Sequence, residues 1–138
     1  MKKLRVLVVE DEPLNREIAE IILTSHGHEV VAVENGQEAL DLCHGRGERF
    51  DVILMDILMP VMDGLEATRA LRAHAGTVDT PIICISAKAS GSDRGAGFAA
   101  GCDCYLNKPY KRKDLMAVLV ETLVKKGVLE PEETLVQD

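Results

Sequence analysis

Glu10, Asp11, Asp56, Ser86 and Lys108 each stand immediately after a short apolar run or within two residues of one. If those runs are neighbouring strands of one sheet, their ends meet, and three carboxylates, a hydroxyl and an ammonium share one hollow. Three carboxylates that close repel one another, so the cluster is stable only around a cation or with one acid protonated. A hard divalent ion with oxygen ligands is the natural occupant, and Mg²⁺ typically takes one or two carboxylates plus phosphate oxygens while keeping several waters. With the Ser86 hydroxyl and the Lys108 ammonium added, the hollow is complementary to a phosphoryl group. Asp56 is then the nucleophile, attacking phosphorus in line to give an aspartyl phosphate.

Such chemistry requires strands that deliver their last residues to one edge. In the stretch Asp51 to Gly64, DVILMDILMPVMDG, residues Val52, Ile53, Leu54 and Met55 read as a strand buried on both faces. Asp56 ends it, and the Met-Pro pair followed by Met62-Asp63-Gly64 breaks the chain into a loop before the next helix. Similar runs predict strands over Arg5–Val9, Glu29–Val33, Ile82–Ile85 and Cys104–Leu106. Between them the spacing predicts a first helix over Pro13–His26, with Leu14, Ile18, Ile21 and Ile22 recurring at helical intervals until Gly27. A capping box over Asn35–Glu38 opens a second helix whose inner face is Ala39, Leu40 and Cys43. Asp63 with Glu66 opens a third, with Leu65, Thr68 and Leu71 buried and Arg69 and Arg72 turned to water.

The fourth helix, Ser90–Gly101, contains Gly91, Gly95, Gly97 and Gly101, and each interior glycine costs about 0.5–1 kcal/mol relative to alanine. It is expected to be short, frayed or mobile. The last helix carries Leu115, Val118, Leu119, Thr122 and Leu123 on one side and stops at Gly127. Five strands alternating with five helices predict a single doubly wound, flavodoxin-like α/β domain. Its five-stranded parallel sheet takes the order 2-1-3-4-5, with strands one and three adjacent at the switch point where such sheets bind ligands. The domain is expected over residues 1–126, with 127–138 as a loosely held acidic tail.

Composition excludes several classes. A chain of 138 residues, 46% hydrophobic and 28% charged, is globular and has no apolar run near the roughly 20 residues that span a bilayer. The run after Lys2-Lys3 ends in acids too soon for a signal peptide, so a cytoplasmic protein without membrane contact is expected. A net charge of -7 argues against direct nucleic-acid binding. Cys43, Cys84, Cys102 and Cys104 lack metal-ligand spacing and read as reduced core residues, and His26, His28, His44 and His74 as surface residues. Neither a nucleotide-binding loop nor a dinucleotide glycine pattern is present.

In order and spacing, VLVVEDE at strand one, DILMPVMDG around Asp56, ISA at strand four and YLNKP at strand five resemble the response-regulator receiver domain of two-component and phosphorelay signalling, over Lys3 to Lys126. The resemblance implies that Asp56 is the phosphoacceptor and that Asp11 and Asp56 bind Mg²⁺, with Glu10 helping through a water and Leu58 through its backbone carbonyl. Ser86 and Lys108 would hold phosphoryl oxygens, and the Lys108–Pro109 peptide would be cis. The phosphoryl group would come from a histidine kinase or histidine phosphotransfer protein. Ser86 and Tyr105 would then switch the face of helix four, strand five and helix five toward a protein target. Such a domain is a switch that assists its own phosphorylation and slow dephosphorylation, not an enzyme acting on others. Leu58, which cannot orient water, and the long cationic Lys88 are the positions expected to slow phosphate loss. With 12 residues after Lys126, a stand-alone regulator is the expectation, and a receiver cut from a hybrid histidine kinase is the alternative. An Asp-nucleophile metal-dependent phosphatase is the enzyme-class alternative, but it usually needs a second acid where Leu58 stands.

Overall fold

Apolar residues on both sides of a strand demand helices on both sides of the sheet, and the computed structural model, which describes residues 2–87 and 91–132, has that arrangement. The strands are β1 (Arg5–Val9), β2 (Glu29–Val33), β3 (Val52–Asp56), β4 (Ile82–Ser86) and β5 (Cys104–Asn107). They pair in parallel in the order β2-β1-β3-β4-β5. The helices are α1 (Pro13–Ser25), α2 (Gly36–Leu40, continued by a wider turn over Asp41–Gly45), α3 (Gly64–Arg72), α4 (Gly91–Ala100) and α5 (Arg112–Lys125). Alternate strand residues build two cores. Val6, Val8, Leu54, Ile83 and Ile85 pack with Leu23, Leu115, Leu119 and Leu123, while Leu7, Val9, Ile53, Met55 and Ile82 pack with Ala39, Ala67 and Leu71.

The starts of α2 and α3 follow the side chains that cap them. Asn35 Oδ1 accepts the Glu38 amide at 2.9 Å, and Asp63 Oδ1 accepts that of Glu66 at 2.9 Å. The return bond of the first box goes one residue further back, with Glu38 Oε1 accepting from the Glu34 amide at 2.7 Å. β4 and β5 each run one residue beyond expectation, which pairs Ser86 with Asn107. Two of the glycines expected to weaken α4 differ in role: a Cβ at Gly97 would press on Cys102 Sγ at 3.3 Å, whereas one at Gly95 would meet nothing within 4 Å. The cysteines are free, with Cys43, Cys84 and Cys102 buried and Cys104 half-buried. Packing also continues past Lys126, since Leu129 is in the core. Residues 133–138 of the expected tail lie outside the described residues.

Two expectations, on the histidines and on Arg72, are corrected, and α1 shows which of its apolar stripes meets the sheet. Leu14, Ile18 and Ile21 face outward, 63%, 41% and 54% exposed, because the shorter face of Ala19, Ile22 and Leu23 meets the sheet instead. His26 and His28 are buried. His26 Nδ1 bonds the Ile22 carbonyl, and His28 Nδ1 accepts the Leu4 amide at 3.0 Å, tying the loop after α1 to the start of β1. Arg72 does not turn to water but bonds the carbonyls of Gly101, Thr77, Val78 and Thr80 and the carboxylate of Asp103.

Candidate functional site

The parallel order brings the C-terminal ends of β1, β3, β4 and β5 to one edge, and the expected residues arrive there with them. Glu10 and Asp11 follow β1, Asp56 ends β3, Ser86 ends β4, and Lys108 follows β5 across a cis peptide to Pro109. One carboxylate oxygen from each of Glu10, Asp11 and Asp56 lies within 4.8 Å of the other two. Lys108 Nζ reaches Glu10 Oε1 at 2.5 Å and Asp56 Oδ2 at 3.2 Å. The second Glu10 oxygen accepts the Glu12 amide at 3.2 Å. Ser86 is buried beside them on the neighbouring strand, and its carbonyl accepts the Lys108 amide at 2.8 Å.

Burial and the shortage of positive charge set the protonation. Asp56 is only 5% exposed, and its carboxyl is pushed up to about 7, first by burial and then by the hydrogen bond and charge of Glu10, with Lys108 pulling the other way. Burial also works to raise Glu10, but bonds from Asp56, Lys108 and the Glu12 amide outweigh it and hold Glu10 below the ordinary carboxylate range. Of the two acids, Asp56 therefore holds a proton more tightly than an ordinary carboxylate and Glu10 less tightly. Burial likewise works to lower Lys108, but the two carboxylates overcome it and raise the ammonium. The donor set is all oxygen and lies at a half-open rim, because Asp11 is half-exposed. That suits a hard divalent ion that keeps part of its water.

The loop after Asp56 is held closely. The Gly64 amide bonds the Ile57 carbonyl at 2.9 Å, and a Cβ at Gly64 would overlap the carbonyl oxygen of Asp56. The Gly36 amide bonds the Met62 carbonyl at 3.2 Å, joining α2 to the same loop. At its tip Val61 takes φ 70, a region that β-branched residues rarely enter, and Met62 closes the turn onto Pro60 at 2.8 Å. Leu58 is 55% exposed on this loop. Tyr105 lies buried beneath α4, within 3.6 Å of where a Gly97 Cβ would stand, with Arg94 over its ring at 5.5 Å. Lys88 lies outside the described residues. Tyr110 is a site neighbour that the sequence does not mark. It lines a small hollow with Glu10, Asn15 and Asp56, and its position two residues after Lys108 is the available signal.

This fold and this acidic edge define a receiver domain, and residues 6–120 match the family model of the response regulator receiver domain. The chain belongs to that family, the signalling switches of two-component systems. It is 41% identical over 113 residues to the response regulator MprA of Mycolicibacterium vanbaalenii, covering 82% of this chain and 47% of that protein. It is also 41% identical over 121 residues to the hybrid signal transduction histidine kinase G of Dictyostelium discoideum, covering 86% of this chain but 4% of the kinase. The chain thus spans less than half the length of these relatives. The receiver domain of sensor histidine kinase PA1611 from Pseudomonas aeruginosa PAO1, with magnesium coordinated in its active site cleft, superposes with a TM-score of 0.81 at 38% identity, covering 88% of this chain and 98% of that one. Vibrio cholerae CheY4 gives 0.83 at 33% identity, covering 88% and 100%. No described helix is long and apolar enough to cross a membrane.

Proposed function

We propose that this receiver accepts a phosphoryl group on Asp56 from a phosphohistidine of a histidine kinase or histidine phosphotransfer protein. The observation that carries the proposal is the buried Asp56 carboxylate, ion-paired to Lys108 and gathered with Glu10 and Asp11 at the end of the central strand. Asp11 and Asp56 would hold Mg²⁺, with help from Glu10 and the Leu58 carbonyl, and the bound ion would supply positive charge against the phosphoryl oxygens. An ionised Asp56 oxygen attacks phosphorus, the P–N bond breaks, and the imidazole leaves with the electron pair. Lys108 and Ser86 bind phosphoryl oxygens, the first by its ammonium and the second by its hydroxyl. The apolar stripe of Leu14, Ile18 and Ile21 starts beside the groove formed by Asn15, Ile18, Lys108, Pro109 and Tyr110, so a donor reaching Asp56 has an apolar face to rest on.

The signal passes outward through Ser86 and Tyr105 to the face of α4, β5 and α5, where a target protein binds. Support comes from the packing of Tyr105 under the glycine-containing α4. Leu58 offers no polar atom to orient a water, so the aspartyl phosphate is expected to be long-lived. Leu58→Asn should speed its loss severalfold in single-turnover decay, and an unchanged rate would count against this role.

The central test is incubation with acetyl phosphate and Mg²⁺ followed by intact mass in acid. Wild type should gain one phosphoryl group, and Asp56→Asn or added EDTA should abolish the gain. An adduct that persists in Asp56→Asn would place the acceptor elsewhere.

A further inference from the structure

Arg16 belongs to none of the expected site residues, yet its side chain, 18% exposed, folds back from the first turns of α1 onto the acidic loop. Nη1 donates to the backbone carbonyl of Glu10 at 2.9 Å and to that of Asp11 at 3.4 Å, while Nη2 faces Glu34 Oε1 at 3.5 Å. Those two carbonyls belong to the peptide units on either side of the Asp11 Cα. Fixing both planes fixes the backbone dihedrals of Asp11, and with them the direction of its Cα–Cβ bond. The other two acids have side-chain partners of their own: Glu10 has Lys108 and the Glu12 amide, and Asp56 has Lys108. Among the described residues the Asp11 carboxylate has no hydrogen bond or ion pair. Its aim therefore comes from the backbone that Arg16 holds.

We infer that Arg16 is a positioning residue that aims the Asp11 carboxylate at a divalent cation, an inference that rests on the reading of the acidic cluster as a Mg²⁺ site. Two effects of the guanidinium oppose each other. Its charge stands behind the cluster and repels an incoming cation, so loss of that charge alone would tighten binding. Its two bonds from Nη1 hold the backbone on both sides of the Asp11 Cα, so their loss would loosen binding, and supporting groups of this kind are worth about 10–100-fold in metal affinity. Because nothing else among the described residues holds the Asp11 carboxylate, these bonds outweigh the charge. Lysine preserves the charge but presents a compact ammonium where arginine presents a rigid planar fork.

The sign of the change tests this. Mg²⁺ alone is titrated calorimetrically into the full chain as wild type, Arg16→Met and Arg16→Lys at pH 8, and urea stability is measured for each in EDTA. Arg16→Met should bind Mg²⁺ about tenfold more weakly despite its greater net negative charge, and Arg16→Lys should fall between it and wild type. The affinity losses should not track the stability differences. Arg16→Met affinity that is unchanged or tighter would overturn the inference. If Arg16→Met does not fold, wild-type affinity in Arg16→Lys overturns it alone. Wild type that binds no Mg²⁺ would sink the underlying cation site, and this inference with it, whereas wild-type binding with unaffected variants would sink only the role of Arg16.

Discussion

Two half-buried ion clusters in this molecule are built on opposite ratios. Around Asp103 two cations answer one acid: Arg72 Nη2 at 2.8 Å and Lys126 Nζ at 3.2 Å both reach its carboxylate, which also accepts the Ile82 amide at 2.9 Å. Around Asp56, among the described residues, three acids meet one lysine, and the Asp56 carboxyl is pushed up in response. Burial alone does not separate them, since the side chains are 17% and 14% exposed in the Arg72–Asp103 pair and 18% and 6% in the Lys108–Asp56 pair. The ratio does. A cluster whose one acid is saturated with cations and donors holds elements together, here the α3 end, the start of β4, the start of β5 and the α5 end. A cluster left short of positive charge is poised to take a cation from outside.

The largest expected effect comes from breaking the Asp103 cluster. Asp103→Ala strands two cations and should cost about 3 kcal/mol of stability in urea denaturation. A loss below about 1 kcal/mol would remove the structural half of the contrast. Asp56→Asn should act in the opposite direction. The Asp56 carboxyl titrates at about 7 in the fold against an ordinary 3.8, so the folded state binds more protons between these values, and Mg²⁺-free stability falls as pH rises from 3.8 to about 7. An amide cannot ionise, so at pH 8 in EDTA this variant should be about 2 kcal/mol more stable than wild type, and the difference should vanish near pH 4. A destabilised Asp56→Asn at pH 8 would mean that the acidic cluster is already balanced.

Mg²⁺ binding sharpens the same point. The ion competes with a proton for Asp56, so its affinity should fall about tenfold per pH unit below about 7 and level off above it. Calorimetric titrations on both sides of that value check this, and a flat profile would show that no proton is displaced. The smallest effect lies at the rim. Val61→Gly relieves the positive φ but loosens the unfolded chain, for a net gain of about 0.5 kcal/mol in thermal unfolding. A net loss would show that the turn carries no strain.

The strands and the acidic edge were legible because each rests on a local signal, an apolar run ended by a polar residue. The face of α1 was not. Leu14, Ile18 and Ile21 repeat at helical spacing as regularly as Ala19, Ile22 and Leu23, and spacing alone does not say which stripe meets the sheet. Arg72 was misread because its partners extend to Gly101 and Asp103, 29 and 31 residues away, so its burial is invisible within its own helix. His26 and His28 flank a glycine in a polar stretch, and their burial depends on contacts such as the Leu4 amide, 24 residues before His28. The role inferred for Arg16 is not legible in the sequence for a further reason: it acts through backbone carbonyls, which no side-chain motif encodes.

The bond from the Lys108 amide to the Ser86 carbonyl has a mechanical consequence. The two residues proposed to grip a transferred group sit on adjoining rungs of one ladder, so the gap between their backbones is preset before any guest arrives. Only side-chain torsions remain to be adjusted on capture. A tug on either residue is felt by the other across a single backbone hydrogen bond.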